Sequence, residues 1–265
     1  MNNLLNVYIC KNSKVKSRYF IFISYKGTSY HGWQIQPNSV TVQKLLDTAL
    51  SVILSEEIRA TGAGRTDTGV HALVFCAHFD SNSSDLDTRI NLVYKLNRYL
   101  PEDISVTVIR KVIPDAHARF SALSRTYKYF ISRGKDPFSD DSSWCLHGDI
   151  NIEEMNKSAH ILLNHNDFTS FSRLHTNVKS NNCRIIHAHW ETNGSQLIFT
   201  IKADRFLRNM VRAIVGTMVE IGFGKKDLKE FNEIIMAKDR GKAGKSAPAK
   251  GLFFAEIEYP ENIFV

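Results

Sequence analysis

The chain has 265 residues, 43% of them hydrophobic, and Lys+Arg exceed Asp+Glu by 34 − 27 = 7. That is enough apolar material for one large domain or two of about 130 residues each, while the longest apolar run, "YFIFISY" at 19–25, falls far short of the ~20 residues that cross a bilayer. With no signal-peptide pattern at the N-terminus the expected location is the cytoplasm, and the positive balance is that of a protein that meets phosphates, although a merely soluble basic surface has the same charge.

In chain order, residues 18–25 are β-branched and aromatic and predict a strand, followed by a Gly- and Pro-punctuated loop, "GTSYHGWQIQPNS". Val42, Leu45, Leu46, Ala49, Leu50 and Ile53 then recur at helical spacing, with Thr41 as N-cap. The decapeptide "GAGRTDTGVH" at 62–71 is a loop entering a strand at 72–79. A helix is expected over 87–98, and strands over 104–112 and from Ser124. The second half repeats the order, with a helix at 152–163 and strands at 184–191 and 196–203. It continues with a long helix through "RFLRNMVRAIVGTMVEIG", whose stripe is Leu207, Met210, Val211, Ile214, Val215, Met218 and Val219. Strands that follow strands as well as helices predict an α+β fold with a mixed or antiparallel sheet rather than a doubly wound parallel one. The expected division is 1–115, an N-terminal α/β half carrying the Asp67 loop, and 116–265, a C-terminal α/β half completing a cleft. The cysteines Cys10, Cys76, Cys145 and Cys183 stand apart in sequence, so neither a disulfide framework nor a metal site is expected.

Asp67 has a bland reading, a turn cap bonded to its own backbone. Other residues stand against it. Arg65 and His71 share its loop; Arg205, Arg208 and Arg212 fall at i, i+3 and i+7 of the predicted helix; Arg125, Tyr127 and Tyr129 alternate along a strand and share a face. Together these make a basic, aromatic-lined cleft around one carboxylate. Each also has an ordinary reading, as solvated arginines and core tyrosines.

"GAGRTDTGVHA" resembles the signature loop of the TruA-type tRNA pseudouridine synthases, and the likeness continues in order through "YKGTSYHGWQIQP", "TVQKLL", "LNRYLPEDI", "HARFSALSRTYKY", "NDFTSF", "FLRNMVRAIVG" and "APAKGLFF". Departures are mild: Thr68 stands where Ala is commoner, and Lys26 where an acidic residue often sits. The resemblance implies two similar α/β halves around a central, mainly antiparallel sheet, a positively charged cleft, and a homodimer that binds tRNA without cofactor or metal. It implies isomerisation of uridine to pseudouridine, in bacterial-type members at positions 38 to 40 of the anticodon stem-loop. By the same resemblance Asp67 is the catalytic aspartate, held ionised and in place by Arg212, and Tyr127 contacts the target base and accepts or relays its C5 proton. Arg65 fills the space left by the flipped uridine, Leu252 lines the uracil pocket, and His71, Arg205 and Arg208 join the substrate-binding set. The carboxylate either traps or stabilises the cationic sugar or removes a ribose proton.

Two other classes compete. "GKAGKS" at 241–246 looks like a phosphate loop, but G-x-x-x-x-G-K-[ST] ending at Ser246 needs Gly where Asp239 stands. A non-catalytic RNA-binding module would need only the charge and the aromatics.

Overall fold

The computed structural model describes residues 16–173 and 180–265; Cys10 lies outside them. Among these residues the strands form one nine-stranded sheet in the order β4-β1-β3-β9-β5-β8-β7, with short β2 on β3 and short β6 on β5. The strands are β1 (Ser17–Tyr25), β2 (Thr61–Gly62), β3 (His71–Ser81), β4 (Ile104–Val112), β5 (Ser124–Ser132), β6 (Trp144–Cys145), β7 (Ile185–Asn193), β8 (Gln196–Ala203) and β9 (Leu252–Glu258). The helices are α1 (Val42–Leu54), α2 (Leu92–Tyr99), α3 (Ile152–Leu162), α4 (Met210–Gly222) and α5 (Leu228–Ala237). None of them is long and apolar enough to cross a membrane.

The sheet is mainly antiparallel: β1 pairs β3 and β4, β5 pairs β8 and β9, and β7 pairs β8, all in that sense. Its middle is different. β3 and β9 run parallel and pair only at His71↔Phe253 and Ala72↔Phe254, and this short seam joins two cores. One gathers Leu46, Phe75, Phe79 and Leu96; the other gathers Met155, Phe171, Trp190, Phe199 and Met218.

Local chemistry explains the elements. Thr41 caps α1 by accepting from the Lys44 N–H at 3.4 Å, and Asp227 and Glu230 close a reciprocal capping box on α5. In α4 every residue except Arg212 and Glu220 is buried, the pattern of a helix surrounded on all sides. This helix is shorter than its sequence predicts. Its first five expected residues, 205–209, are not helical, because Asn209 adopts a left-handed φ of 66° and its side chain donates to Ser246 Oγ at 2.7 Å. Asn tolerates that conformation better than most residues. Likewise α2 begins at Leu92 rather than at 87, the preceding residues being taken up in turns such as Thr88 N–H to Asp85 O at 3.2 Å.

Besides the two-residue strands β2 and β6, α5 and β9 carry no assignment in the sequence reading, and β9 changes the picture of two halves. The chain crosses over after β4, yet its last residues return: Phe254, Ile257 and Ile263 belong to the first core. Beyond β9 the tail docks on β4 through Ile113 N–H to Ile263 O at 2.9 Å and Val265 N–H to Lys111 O at 3.2 Å. There the Arg110 guanidinium lies 3.6 Å from the centroid of the Phe264 ring. The first core is therefore closed by residues from the far end of the chain. Because Ile263 is only 5% exposed, Ile263→Ala is expected to lower the unfolding free energy by about 2–3 kcal/mol. The denaturant midpoint, at unchanged slope, measures this, and no shift would mean that the tail contributes nothing to the core.

Candidate active site

The Asp67 loop rests on the loop after β1. Trp33 N–H donates to Thr66 O at 3.4 Å, Gly69 N–H donates to Tyr30 O at 3.3 Å, and the buried Thr66 hydroxyl pairs with Tyr25 OH at 2.9 Å. Gly32 makes this possible. At φ 81°, a Cβ there would sit 2.2 Å from Thr66 O, so a side chain would push the two loops apart. Val70 N–H returns to Asp67 O at 3.1 Å, closing a turn through the backbone alone, and the Asp67 carboxylate, which the turn-cap reading would bond to its own backbone, points elsewhere.

That carboxylate is 23% exposed and lies between two guanidinium groups, Arg208 Nε at 3.4 Å and Arg212 Nη1 at 3.5 Å. Both contacts are long for charge-assisted bonds. Within the described residues the oxygens have no shorter donor, which leaves their lone pairs open to a ligand. Arg212 is fixed from behind: its Nε donates to Ala247 O at 2.7 Å, and Ala247 N–H donates back to Arg212 O at 2.9 Å. The strand of chain carrying Ala247 presses onto α4 at Gly216, where a Cβ would meet Lys245 O at 1.8 Å. Here the "GKAGKS" segment finds its use. Gly244 N–H donates to Thr217 Oγ1 at 3.0 Å and Arg240 to Ser246 Oγ at 2.9 Å, so the segment braces a helix and does not cradle a phosphate.

Tyr127 is half-buried on β5, and its ring meets Phe206 and Phe254 edge-on, both at 5.0 Å between centroids. These rings continue a column across the seam, Phe254 to Phe75 at 5.3 Å and Phe75 to Trp33 at 4.4 Å. The Tyr127 hydroxyl makes no hydrogen bond within the described residues. Burial raises its pKa, against the pull of Arg125, and the Asp67 carboxylate adds to the rise. At neutral pH it is a phenol. Leu252, 6% exposed, opens β9 opposite Tyr129 and packs into the second core.

The remaining expected residues divide. Arg65 is exposed, with no ion pair among the described residues. Arg205, Arg208 and Arg212 do not form one helical face, because the first two precede α4; Arg205 does not reach Asp67 and neighbours Cys183, whose thiol burial pushes up to about 12. Arg125 is spent inside the protein, donating to Asp204 O at 2.7 Å, to Ala122 O at 3.4 Å and to Arg119 O. His71, expected among the substrate-binding residues, is 1% exposed and stacked on Phe253 at 4.5 Å. Its Nδ1 accepts from Gly27 N–H at 3.0 Å, so Nε2 carries the proton and faces the carbonyls of Asp141 and Lys250, each at 3.1 Å. It ties three loops together behind Asp67 and offers nothing to a ligand. Phe206, absent from the sequence reading, gives no periodic signal because it lies in the irregular stretch before α4.

The model of a family described as tRNA pseudouridine synthase matches two segments of near-equal length, 21–121 and 159–260. The first contains Arg65, Asp67 and His71 and the second Arg205, Arg208, Arg212 and Leu252, while Tyr127 lies between them. Among curated relatives, the tRNA pseudouridine synthase A of Bacteroides thetaiotaomicron is 53% identical over 250 residues, covering 93% of this chain and 92% of that protein. That of Parabacteroides distasonis is 51% identical over 247 residues, covering 93% and 98%, and that of Porphyromonas gingivalis 45% over 251, covering 94% and 100%. The chain belongs to the tRNA pseudouridine synthase family. The mainly antiparallel sheet and five helices of the described residues agree with that fold.

Burial lowers the pKa of His71 below the usual imidazole value, against the Lys250 and Asp141 carbonyls and the Asp141 charge, which favour the cation; Lys26 adds to the lowering. The unfolded chain therefore takes up a proton near pH ~6.5 that the folded chain does not. The stability this neutral histidine contributes is complete above that pH and is lost as the pH falls below it, at most about 1.4 kcal/mol per pH unit. Between pH 7 and pH 5 the unfolding free energy of the wild type is expected to fall more steeply than that of His71→Gln. Parallel curves would show that His71 titrates alike in both states.

Proposed function

We propose that this chain isomerises uridine to pseudouridine in tRNA, at positions 38 to 40 of the anticodon stem-loop, as a cytoplasmic homodimer that uses neither cofactor nor metal. The observation that carries the reading is Asp67 itself, a part-exposed carboxylate held at 3.4 and 3.5 Å by two arginines, beside a phenol whose hydroxyl has no hydrogen-bond partner among the described residues.

The reaction breaks C1′–N1 with the bonding pair leaving on the uracil, turns the base and joins C1′ to C5. C5 then loses a proton and N1 gains one, so no oxidant, reductant or energy source is required. Positive charge develops on the ribose as N1 leaves, and Asp67 is the anion that meets it, by bonding to C1′ or by taking a ribose proton. Arg212, locked to Ala247, orients the carboxylate without neutralising it by a short bond. Tyr127 keeps its phenolic proton at neutral pH, so it accepts the C5 proton only while passing on its own, the behaviour of a relay. Leu252 forms the apolar wall of the base pocket. A paired uridine must leave its helix to reach this site, and Arg65 occupies the vacated space.

Asp67→Asn keeps the size and one of the two acceptor oxygens but removes the charge. Pseudouridine formation is expected to drop on the order of 10³-fold or more, with tRNA affinity nearly unchanged; a chain that only binds RNA would show no turnover to lose.

Arg212→Ala and Arg65→Ala separate the two proposed arginine roles. The first is expected to lower the single-turnover rate roughly 10²-fold or more while Kd moves by no more than about threefold. The loss in Arg65→Ala should be partly relieved on a tRNA whose target uridine is mismatched, where unstacking costs less. If Arg212→Ala weakens binding and leaves the bound-state rate intact, Arg212 is a phosphate contact and Asp67 does not depend on it.

A further inference from the structure

At the start of β5 the chain makes a tight turn, 117–123, that the proposed reaction leaves unused. Phe120 is 75% exposed and Leu123 58%. A single exposed aromatic is ordinary on a protein surface, but this one is built in. The Phe120 ring lies 4.4 Å from the His117 ring, and His117 lies 4.4 Å from the buried ring of His78 on β3, a column of three rings whose last member faces solvent. The Arg119 guanidinium sits 5.4 Å from the Phe120 centroid and makes no ion pair or hydrogen bond among the described residues.

The turn is also rigid. His117 Nδ1 accepts from Arg119 N–H at 3.1 Å and from Phe120 N–H at 3.4 Å, His117 N–H donates to Ser121 Oγ at 2.9 Å, and Ser121 N–H donates to His117 O at 2.9 Å. Arg125 clamps it from below through the carbonyls of Arg119 and Ala122. The same guanidinium holds Asp204 O at 2.7 Å, at the head of the irregular segment that carries Phe206 onto Tyr127 and Arg208 onto Asp67. Leu123 stands four residues before Tyr127, about 13 Å along the strand direction. One buried arginine thus fixes the exposed ring relative to the carboxylate.

We infer that Phe120 and Arg119 form a stacking site for a second, unpaired base of the tRNA, away from the uridine being isomerised. The inference rests on the tRNA reading above. An aromatic face takes any base, and a free guanidinium beside it takes the adjoining phosphate. A partner protein would need a broader apolar surface than one ring and one leucine. The site holds an RNA substrate by a base outside the reaction, so it acts on affinity and not on the chemical step.

The test uses the full-length chain and an unmodified tRNA transcript. Phe120→Ala is expected to weaken Kd roughly 5- to 150-fold, the range of losing one base stack, with the single-turnover rate at saturating enzyme unchanged and the slope of log K against log salt unchanged. Phe120→Tyr should bind like the wild type. Arg119→Ala should reduce the salt slope by about one. The proposal is overturned if Phe120→Ala binds tRNA within about twofold of the wild type, or if it loses affinity together with a change in the mass of the free protein, which would make the ring a contact between copies of this chain. A wild type that binds tRNA but forms no pseudouridine refutes the function reading and leaves the stacking result to stand or fall by its own Kd.

Discussion

The molecule depends on a parallel pairing only two register steps long. His71↔Phe253 and Ala72↔Phe254 are all that join β3 to β9, yet each strand begins with the residues that matter. Asp67 precedes the seam by four residues on one side and Leu252 by one on the other. Two strands entering side by side in the same direction deliver their preceding loops to the same place. An antiparallel pairing at this point would have sent those loops to opposite ends of the sheet. The aromatic column of Trp33, Phe75, Phe254, Tyr127 and Phe206, at 4.4 to 5.3 Å from ring to ring, lies across the seam and fills what two backbone pairs alone would leave weak.

Such a seam cannot hold a loop steady alone, and His71 does so. Its ring uses both nitrogens on backbone groups from three loops: Gly27, Asp141 and Lys250. The third loop carries Ala247, which anchors Arg212, only three residues before Lys250. A continuous set of short contacts therefore runs from one arginine, through the brace over α4 and around His71, to the base of the aspartate it faces. Of the two ends, only the ion pair is loose, with oxygens 3.4 and 3.5 Å from nitrogen. The framework is tight and the carboxylate is left room.

Much of this fold is legible in the sequence, and the parts that are not share a cause. Strands at 104–112 and from Ser124, and the stripe of α1 beneath Thr41, are periodic, and period is a local property. Where the chain obeys a distant partner, period misleads. "RFLRN" continues a helical pattern smoothly, but Asn209 turns left-handed to reach Ser246, so of three arginines in apparent helical register two meet at Asp67 and Arg205 lies apart beside Cys183. Arg125 alternates correctly with Tyr127 and still points at carbonyls, because Arg119 and Asp204 come from segments it must hold together. His71 sits in a signature loop, but its role is set by Asp141 and Lys250, far along the chain. Asp67, Arg212 and Tyr127 are candidates by motif, and the resemblance already sets Arg212 beside Asp67; what local pattern does not show is how the chain brings them there, since that requires β9 to be placed between β3 and β5.

The two arginines at Asp67 are not equivalent, and the difference bears on how a basic protein spends its charge. The chain has a net charge of +7, so phosphate attraction does not rest on any one residue. Arg212 is 21% exposed and tied to Ala247 O, with no freedom to follow a ligand. Arg208 is 50% exposed, precedes the helix, and has Asp67 as the only carboxylate within ion-pair distance among the described residues. An exposed ion pair is worth roughly 0–1 kcal/mol, so the contact of Arg208 with the carboxylate opens at little cost. Arg212 stays. Asp67 thus has one counter-charge fixed by the backbone and one that is exposed and exchangeable, although both guanidinium groups lie at nearly the same distance from it.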